Sequence, residues 1–298
     1  MTVACVEALA GGQHTRVTVV DNGSQDRTYE TLRERFGERV GLVRLERPAG
    51  FASACNIGYR RAGGAPFVLF LNSDILVLPD SVSRLLTALE SDPGAVAAGG
   101  RLVDPQTLQT QPSYLPRRFP GLLSLALILT GVEVRWPTNP VSRRYHGLDL
   151  REDRTQEVCQ PAAAALLARR AALDAVGGFD ERFWFWFEDS DLLRRLSRLG
   201  RILWVPSAPF RHVGGASFSA WDRATAIRSR HHGMLLYGAT HFGRLARFCL
   251  GTLTVLVSAG WIARLRGSSP QESRAWRAVM RGGLALMLDR PVPPIAPG

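Results

Sequence analysis

Residues 177–199 read GGFDERFWFWFEDSDLLRRLSRL, and no other stretch of the 298-residue sequence gathers so many groups able to do chemistry. An aromatic run, Phe183 to Phe187, is followed at once by Glu188, Asp189 and Asp191. Leu192, Leu193, Leu196 and Leu199 then recur at helical spacing. At about 100° per residue, Asp189 falls within about 40° of Leu193 and Leu196, so it is expected on the apolar side. Asp191 shares a face with Arg194 and Arg195 and is expected to pair with them in solvent. An inward carboxylate beside aromatic rings is desolvated and its pKa rises, which suits a general base. Acids in a first helical turn are also favoured by the macrodipole alone, so a purely structural reading stands beside the chemical one.

Other candidate groups lie where apolar runs stop. Val17–Val20 ends in Asp21-Asn22-Gly23-Ser24, and Phe67–Leu71 ends in Asn72-Ser73-Asp74. Strand tips in open α/β sheets are where ligands bind. Asp21 is placed to accept hydrogen bonds from a base or ribose, although the same four residues also make an ordinary turn. Asp74 suits a hard divalent cation, which commonly uses one or two carboxylates plus substrate phosphates; a helix cap is the alternative. Gly50 to Gly58 open a helix with small residues around Asn56, which lets backbone approach a phosphate. His212 follows a strand and precedes Gly214-Gly215, a placement that fits a metal or phosphate contact.

These residues need an alternating scaffold to hold them. Residues 3–10 have a helical pattern. Strands are expected at 16–20, 40–45, 67–71, 95–98, 160–167 and 201–205. Helices are expected near 26–35, from 50, at 79–89, 169–176 and 221–242. The alternation predicts an α/β fold. Phe119–Val132 is an apolar run too short for a membrane span, and is either a core helix or one lying on a membrane. Phe248–Ala263, bounded by Arg247 and Arg264 and followed by more arginines, suits contact with an anionic membrane or ordinary packing. The Pro-rich tail from Pro291 is expected to fray.

Composition narrows the class. The formal net charge is +11, and all 37 basic residues are arginine. Such a balance favours nucleic acid, anionic membrane or a phosphorylated substrate; with no zinc-finger, helix-turn-helix or RNA-binding signature, nucleic acid is not expected. Cys5, Cys55, Cys159 and Cys249 lack metal spacing and are expected as reduced core thiols of a cytosolic protein. Met1 is not followed by a basic and apolar run, so no signal peptide is expected.

Taken in order, Val-Asp-Asn-Gly-Ser, Gly-Phe-Ala…Asn, Phe-Leu-Asn-Ser-Asp, Gly-Gly-Phe-Asp-Glu…Phe-Glu-Asp-Ser-Asp and His-Val-Gly-Gly resemble family 2 glycosyltransferases of the GT-A fold, most of all a rhamnosyltransferase-like branch. The resemblance runs from about residue 4 to about residue 240. It implies an open mixed sheet flanked by helices over residues 1–220, with a helical extension over 221–298. It also implies transfer of a sugar, rhamnose in this branch, from a nucleoside diphosphate sugar to a saccharide or lipid-linked acceptor, with inversion, in cell-surface polysaccharide synthesis. On that resemblance Asp189 is the catalytic base, and Glu188, Gly178, Phe179, Asp180 and Trp186 serve the acceptor. Asp21, Asn22, Gly50, Asn56, Asn72 and Ser73 serve the donor, and Asp74 with His212 holds Mg2+ or Mn2+. The protein is then expected in the cytoplasm, peripheral at the inner face of the membrane through 119–132 and 248–281.

Two departures qualify the resemblance. Asn72 stands where the family often has Asp, and the opening apolar strand of the family is missing before residues 3–10, which should weaken donor binding. A non-catalytic paralogue that binds an acceptor or a partner enzyme is the alternative that this second departure raises. A nucleotidyltransferase would need a Gly- and Lys-rich phosphate loop, and the sequence has no Lys.

Overall fold

Apolar strands and amphipathic helices alternate through most of the chain, and the computed structural model describes residues 1–10, 15–147, 150–214 and 221–295. In chain order the elements are α1 (Thr2–Ala10), β1 (Thr18–Asp21), α2 (Thr28–Phe36), β2 (Gly41–Arg44), α3 (Phe51–Arg61), β3 (Phe67–Leu71), β4 (Ile75–Val77), α4 (Ser81–Ser91), β5 (Ala95–Val103), α5 (Leu122–Thr130), α6 (Val132–Arg135), α7 (Pro140–Tyr145), β6 (Gln156–Glu157), β7 (Ala165–Arg169), α8 (Arg170–Val176), α9 (Glu188–Leu196), β8 (Arg201–His212), α10 (Arg223–His241), α11 (Arg244–Arg264) and α12 (Pro270–Met287). They fall into two units. The first holds Met1–Phe119, His146–Asp180 and Asp189–Ala216; the second holds Pro120–Tyr145, Glu181–Glu188 and Ser217–Gly298. The expected boundary after residue 220 touches residues 215–220, which lie outside the described residues.

The first unit is built on a mixed sheet of order β3-β7-β5-β8-β4, with β6 paired to β8. β5 and β8 run parallel, while β7 is antiparallel to both β3 and β5. β7 shows why its sequence is apolar throughout. Leu166 and Ala168 enter the core on one face, with Leu173, Leu192, Leu193 and Leu196. Ala165 and Leu167 enter the core on the other, with Ile75, Leu85, Leu89 and Phe210. A strand covered on both faces needs apolar residues at every position.

β1 and β2 form a separate parallel pair, and among the described residues no strand joins β1 to β3. Residues 2–10 are helix, as the sequence pattern indicates. α3 lies against both sheets: Gly58 sits by Val20 of β1, and Ala52 and Tyr59 share a core with Val68 and Phe70 of β3.

Several expectations are corrected. β8 does not stop at Val205 but runs to His212. Pro206 has no N–H to give a ladder, yet it falls in a register shift where Gly100 faces Val205 and Arg101 faces Pro209, so pairing resumes beyond it. The Asn72-Ser73-Asp74 turn leads into β4 rather than capping a helix. Leu199 is exposed because α9 ends at Leu196. Asp191 does pair with Arg195, but with its side chain fully buried, not in solvent. Cys5 is the buried cysteine; Cys55 and Cys159 are half-buried and Cys249 is exposed, so they are not all core thiols.

The second unit has its own core, including Leu125, Leu129, Phe183, Phe187, Met234, Leu250 and Trp276. α5 thus buries one face of the 119–132 run while Leu123 stays exposed. α11 and α12 approach closely at Gly251 and Gly283, and Trp261 stacks on Trp276 with ring centroids 5.8 Å apart. α12 lies where the sequence had suggested only a basic segment. Its start is marked by Ser269, whose side chain accepts the Glu272 N–H, and by Pro270 at the first helical position. Within the segment expected to fray, Val292 packs on this core.

Candidate active site

Strand register brings Asp74 and His212 together. Ile75 of β4 pairs with His212 of β8, and Val213 N–H donates to the Asp74 carbonyl at 3.1 Å. Asp74 Oδ1 then faces His212 Nε2 at 3.6 Å, and both side chains are buried. Burial holds the His212 pKa below the ordinary histidine value, while the Asp74 charge works the other way. The Gln111 side chain grips His212 from behind: its Nε2 donates to the His212 carbonyl at 2.8 Å and its Oε1 lies 3.0 Å from Nδ1. The Tyr114 ring meets the imidazole edge to face, centroids 4.5 Å apart. Burial and the nearby Asp74 charge raise the Tyr114 pKa.

Cys5 approaches the same tip, with its thiol 3.8 Å from the Asn72 carbonyl. Burial, then the Asp74 charge, pushes that thiol up to about 11. Among the described residues no three His, Cys, Asp or Glu side chains cluster as a metal cage. The donor set therefore fits a cation that takes two protein ligands, Asp74 and His212, and draws the rest from phosphate oxygens. Ser73 is exposed in the turn and Asn72 is half-buried, with its N–H on the Ala164 carbonyl at 3.0 Å. Gly215 lies outside the described residues.

Asp189 sits in the first turn of α9. Desolvation raises its pKa, as the helical rotation predicted. Hydrogen bonds from Ser190 and the Arg117 charge oppose that rise without cancelling it. Asp189 as a residue is half-buried. The preceding residues belong to the second unit. Trp186 and Phe187 both take positive φ, 67° and 69°, a conformation that costs non-glycine residues about 1–3 kcal/mol each. Helix α10 accommodates this turn: a Cβ on Gly233 would lie 2.3 Å from the Trp186 carbonyl oxygen. Trp186 is half-buried against Phe185 and Trp221, and Glu188 is buried.

The loop before it is bolted from two sides. Gly177 and Gly178 end α8 with φ of 75° and 73°, and the Gly178 N–H closes back on Leu173. Arg195 makes two hydrogen bonds to Asp191 Oδ2 and donates to the Val176 and Gly178 carbonyls, each at 2.8 Å. Asn56 accepts the Phe179 N–H at 2.9 Å and donates to its carbonyl at 2.8 Å. The amide of Asn56, expected at the donor, is thus bonded to the Phe179 backbone in the loop that follows α8. A Cβ on Gly178 would meet Asn56 Oδ1 at 2.6 Å, so glycine is required twice over. The Phe179 ring packs in the core against Phe51 and Phe70, holding the loop from beneath, and Asp180 is half-buried after it.

Asp21 is buried at the tip of β1. Its Oδ1 accepts the Ser24 N–H at 2.9 Å, while Oδ2 makes no hydrogen bond and has Arg44 at 3.8 Å. Asn22 joins this tip to the next loop, accepting the Ala49 N–H at 2.8 Å and donating to the Gly50 carbonyl at 3.3 Å. Gly50, with φ of 85°, turns the chain into α3. Gln111, Tyr114 and Arg117 were not marked by sequence reasoning, whereas Arg195, four residues after Asp191, was expected to pair with it.

The sequence profile of Glycosyl transferase family 2 matches residues 2–177. The chain is 30% identical over 245 residues to the N-acetylglucosaminyl-diphospho-decaprenol L-rhamnosyltransferase of Mycobacterium tuberculosis, covering 77% of this chain and 76% of that one. It is 25% identical over 223 residues to the O-antigen biosynthesis protein RfbC of Myxococcus xanthus, covering 72% of this chain and 16% of that one. Its fold resembles the crystal structure of GalNAc-T7 with UDP, GalNAc and Mn2+ (TM-score 0.50, 15% identity, 72% of this chain and 42% of that one). It also resembles that of S. aureus TarS (TM-score 0.50, 14% identity, 96% of this chain and 46% of that one). A profile match across more than half of the chain, a relative at 30% identity over most of it and a mixed sheet of the GT-A kind agree: the chain belongs to glycosyl transferase family 2 and is a glycosyltransferase.

Proposed function

We propose that this glycosyltransferase moves a sugar, L-rhamnose by analogy with its mycobacterial relative, from a nucleoside diphosphate to a hydroxyl of a lipid-linked saccharide in cell-surface polysaccharide synthesis. The observation that carries the reading is the pairing of Asp74 with His212 at a buried strand tip, in a unit that also holds a desolvated Asp189. Asp21, Asn22, Gly50, Asn72 and Ser73 form the donor side. The orphan Oδ2 of Asp21 suits a base or ribose donor group. Asp74 and His212 would hold Mg2+ or Mn2+, whose charge offsets that gathering on the departing diphosphate.

On the acceptor side, a sugar hydroxyl is a poor nucleophile until its proton is taken. Asp189 takes that proton as the hydroxyl attacks, and its raised pKa makes it a stronger base than an ordinary aspartate. Glu188, Gly178, Phe179, Asp180 and Trp186 support the acceptor. Attack opposite the leaving diphosphate inverts the anomeric carbon, with no covalent enzyme intermediate.

The lipid-linked acceptor accounts for a cytoplasmic protein held peripherally at the membrane through 119–132 and 248–281. α11 is long and apolar enough to cross a membrane by length and composition, yet one face packs on α12 while Leu245, Phe248 and Leu256 stay exposed. Arg244, Arg247, Arg264 and Arg266 flank this face and suit anionic headgroups. Co-sedimentation with anionic vesicles at low salt is expected, and recovery in the soluble fraction contradicts this contact.

Calorimetric titration of the chain with dTDP and UDP tests the donor side. Micromolar affinity, about 8 kcal/mol, is expected with Mn2+ and much weaker binding without it. Binding that ignores Mn2+, or that survives Asp74→Asn with its metal dependence intact, contradicts the assignment.

A further inference from the structure

We propose that Gln111 is a positioning residue that locks His212 as its Nδ1–H tautomer and so presents Nε2, together with Asp74, to a divalent cation. The proposal rests on reading Asp74 and His212 as the cation pair.

The geometry leaves little freedom. Gln111 is fixed by its backbone, its N–H donating to the Leu102 carbonyl and its carbonyl accepting the Tyr114 N–H, both at 3.0 Å. Its side-chain amide faces two atoms of His212, the backbone oxygen at 2.8 Å and Nδ1 at 3.0 Å. A backbone carbonyl can only accept, so the end of the amide facing it must be the NH2 group. The end facing Nδ1 is then the amide oxygen, which also only accepts. Nδ1 must therefore carry the hydrogen. A neutral imidazole has one N–H, so the lone pair falls on Nε2. Nε2 is the atom that faces Asp74 Oδ1 at 3.6 Å. The edge-to-face contact with Tyr114 limits rotation of the ring about this setting.

The alternative shows why a lock is needed. A buried histidine beside a carboxylate is drawn to donate Nε2–H to it. That bond would close the pair on itself and leave a cation the Asp74 carboxylate alone. By requiring the proton on Nδ1, Gln111 keeps the pair open. This arrangement has the form of an outer partner that fixes the tautomer and direction of a metal-binding histidine.

The test reads the tautomer and the metal separately. Two-bond 1H–15N correlation spectra at pH 8, without metal, should show His212 in the wild-type chain with Nδ1 protonated and Nε2 bare. Gln111→Leu should move the proton to Nε2 and weaken Mn2+ binding about 10- to 100-fold, read by electron paramagnetic resonance with dTDP present. Gln111→Glu retains an acceptor for Nδ1–H but loses the donor to the His212 carbonyl, so it should keep the tautomer and lose less Mn2+ affinity than Gln111→Leu. A wild-type His212 with Nε2 protonated overturns the proposal, and this reading needs no variant to fold. Gln111→Leu with tautomer and Mn2+ affinity both unchanged overturns it equally. A wild-type chain that binds no Mn2+ overturns the cation reading, and the tautomer then decides on its own whether Gln111 sets the ring.

Discussion

Asp74 stands at the tip of β3 facing the ring of His212, whereas Asp189 stands in the first turn of α9 with Ser190 and the Arg117 charge around it. Both belong to the first unit, and both are aspartates at the end of a regular element. Their surroundings differ in what they leave available. Beside Asp74 the His212 ring is held by Gln111 and Tyr114, which suits the cation seat proposed there. Beside Asp189 desolvation dominates, which suits the base proposed there. Side-chain type alone does not separate a cation ligand from a base; the neighbours delivered by distant elements do.

The two sites should therefore fail independently. The largest loss of stability is expected on the acceptor side. Arg195→Met removes the guanidinium that pairs with the buried Asp191 carboxylate, costing about 3–5 kcal/mol in urea unfolding. The folded fraction should still bind dTDP with Mn2+. Asn56→Leu comes next, because it strips partners from the Phe179 N–H and carbonyl, at about 1–3 kcal/mol for each group left unpaired. Acceptor KM should rise while dTDP affinity holds; a fall in dTDP affinity instead would return Asn56 to the donor side.

The pH dependence separates the sites further. Asp189 must be ionised to act, so the acid limb of kcat should lie above the ordinary aspartate value of about 3.9. The sign for stability is the reverse of that for activity. A carboxyl with a raised folded pKa favours the fold below the unfolded value, and that contribution is lost as pH rises through the folded value. Asp189→Asn should then melt above wild type at pH 7 and level with it at pH 3. The smallest effect is expected on the cation side. Tyr114→Leu removes the ring contact with His212, costing about 0.5–1.5 kcal/mol and weakening Mn2+ binding a few-fold, with the acid limb of kcat unmoved.

Much of this was legible in the sequence where chemistry and local pattern coincide. The tips of Val17–Val20 and Phe67–Leu71 were readable because apolar runs end there in acids, and α9 because its leucines recur at helical spacing. The raised pKa expected for Asp189 is found, but the fully buried carboxylate of α9 is Asp191, which the rotation had placed in solvent. Contacts that join remote residues were not legible. Gln111 and His212 are 101 residues apart, and Asn56 and Phe179 are 123 apart, so no spacing rule links them. Pro206 hid the second half of β8, although that half is what carries His212 to β4. Asp191 was misread because a helix rotation cannot show that Arg195 is also held by two carbonyls, which makes a buried pair tolerable. The separation of β1 and β2 from the main sheet is likewise a matter of pairing, which alternation alone does not reveal.

The central claim is that Asp189 supplies the base and has no part in holding the donor. The direct measurement is the rate of rhamnosyl transfer from dTDP-L-rhamnose to an N-acetylglucosaminyl-diphospho-lipid, wild type against Asp189→Asn, with Mn2+ and dTDP affinity measured on the same preparations. The account predicts a kcat lower by about 10²- to 10⁴-fold with dTDP affinity unchanged. Transfer at the wild-type rate by the Asp189→Asn chain would contradict it.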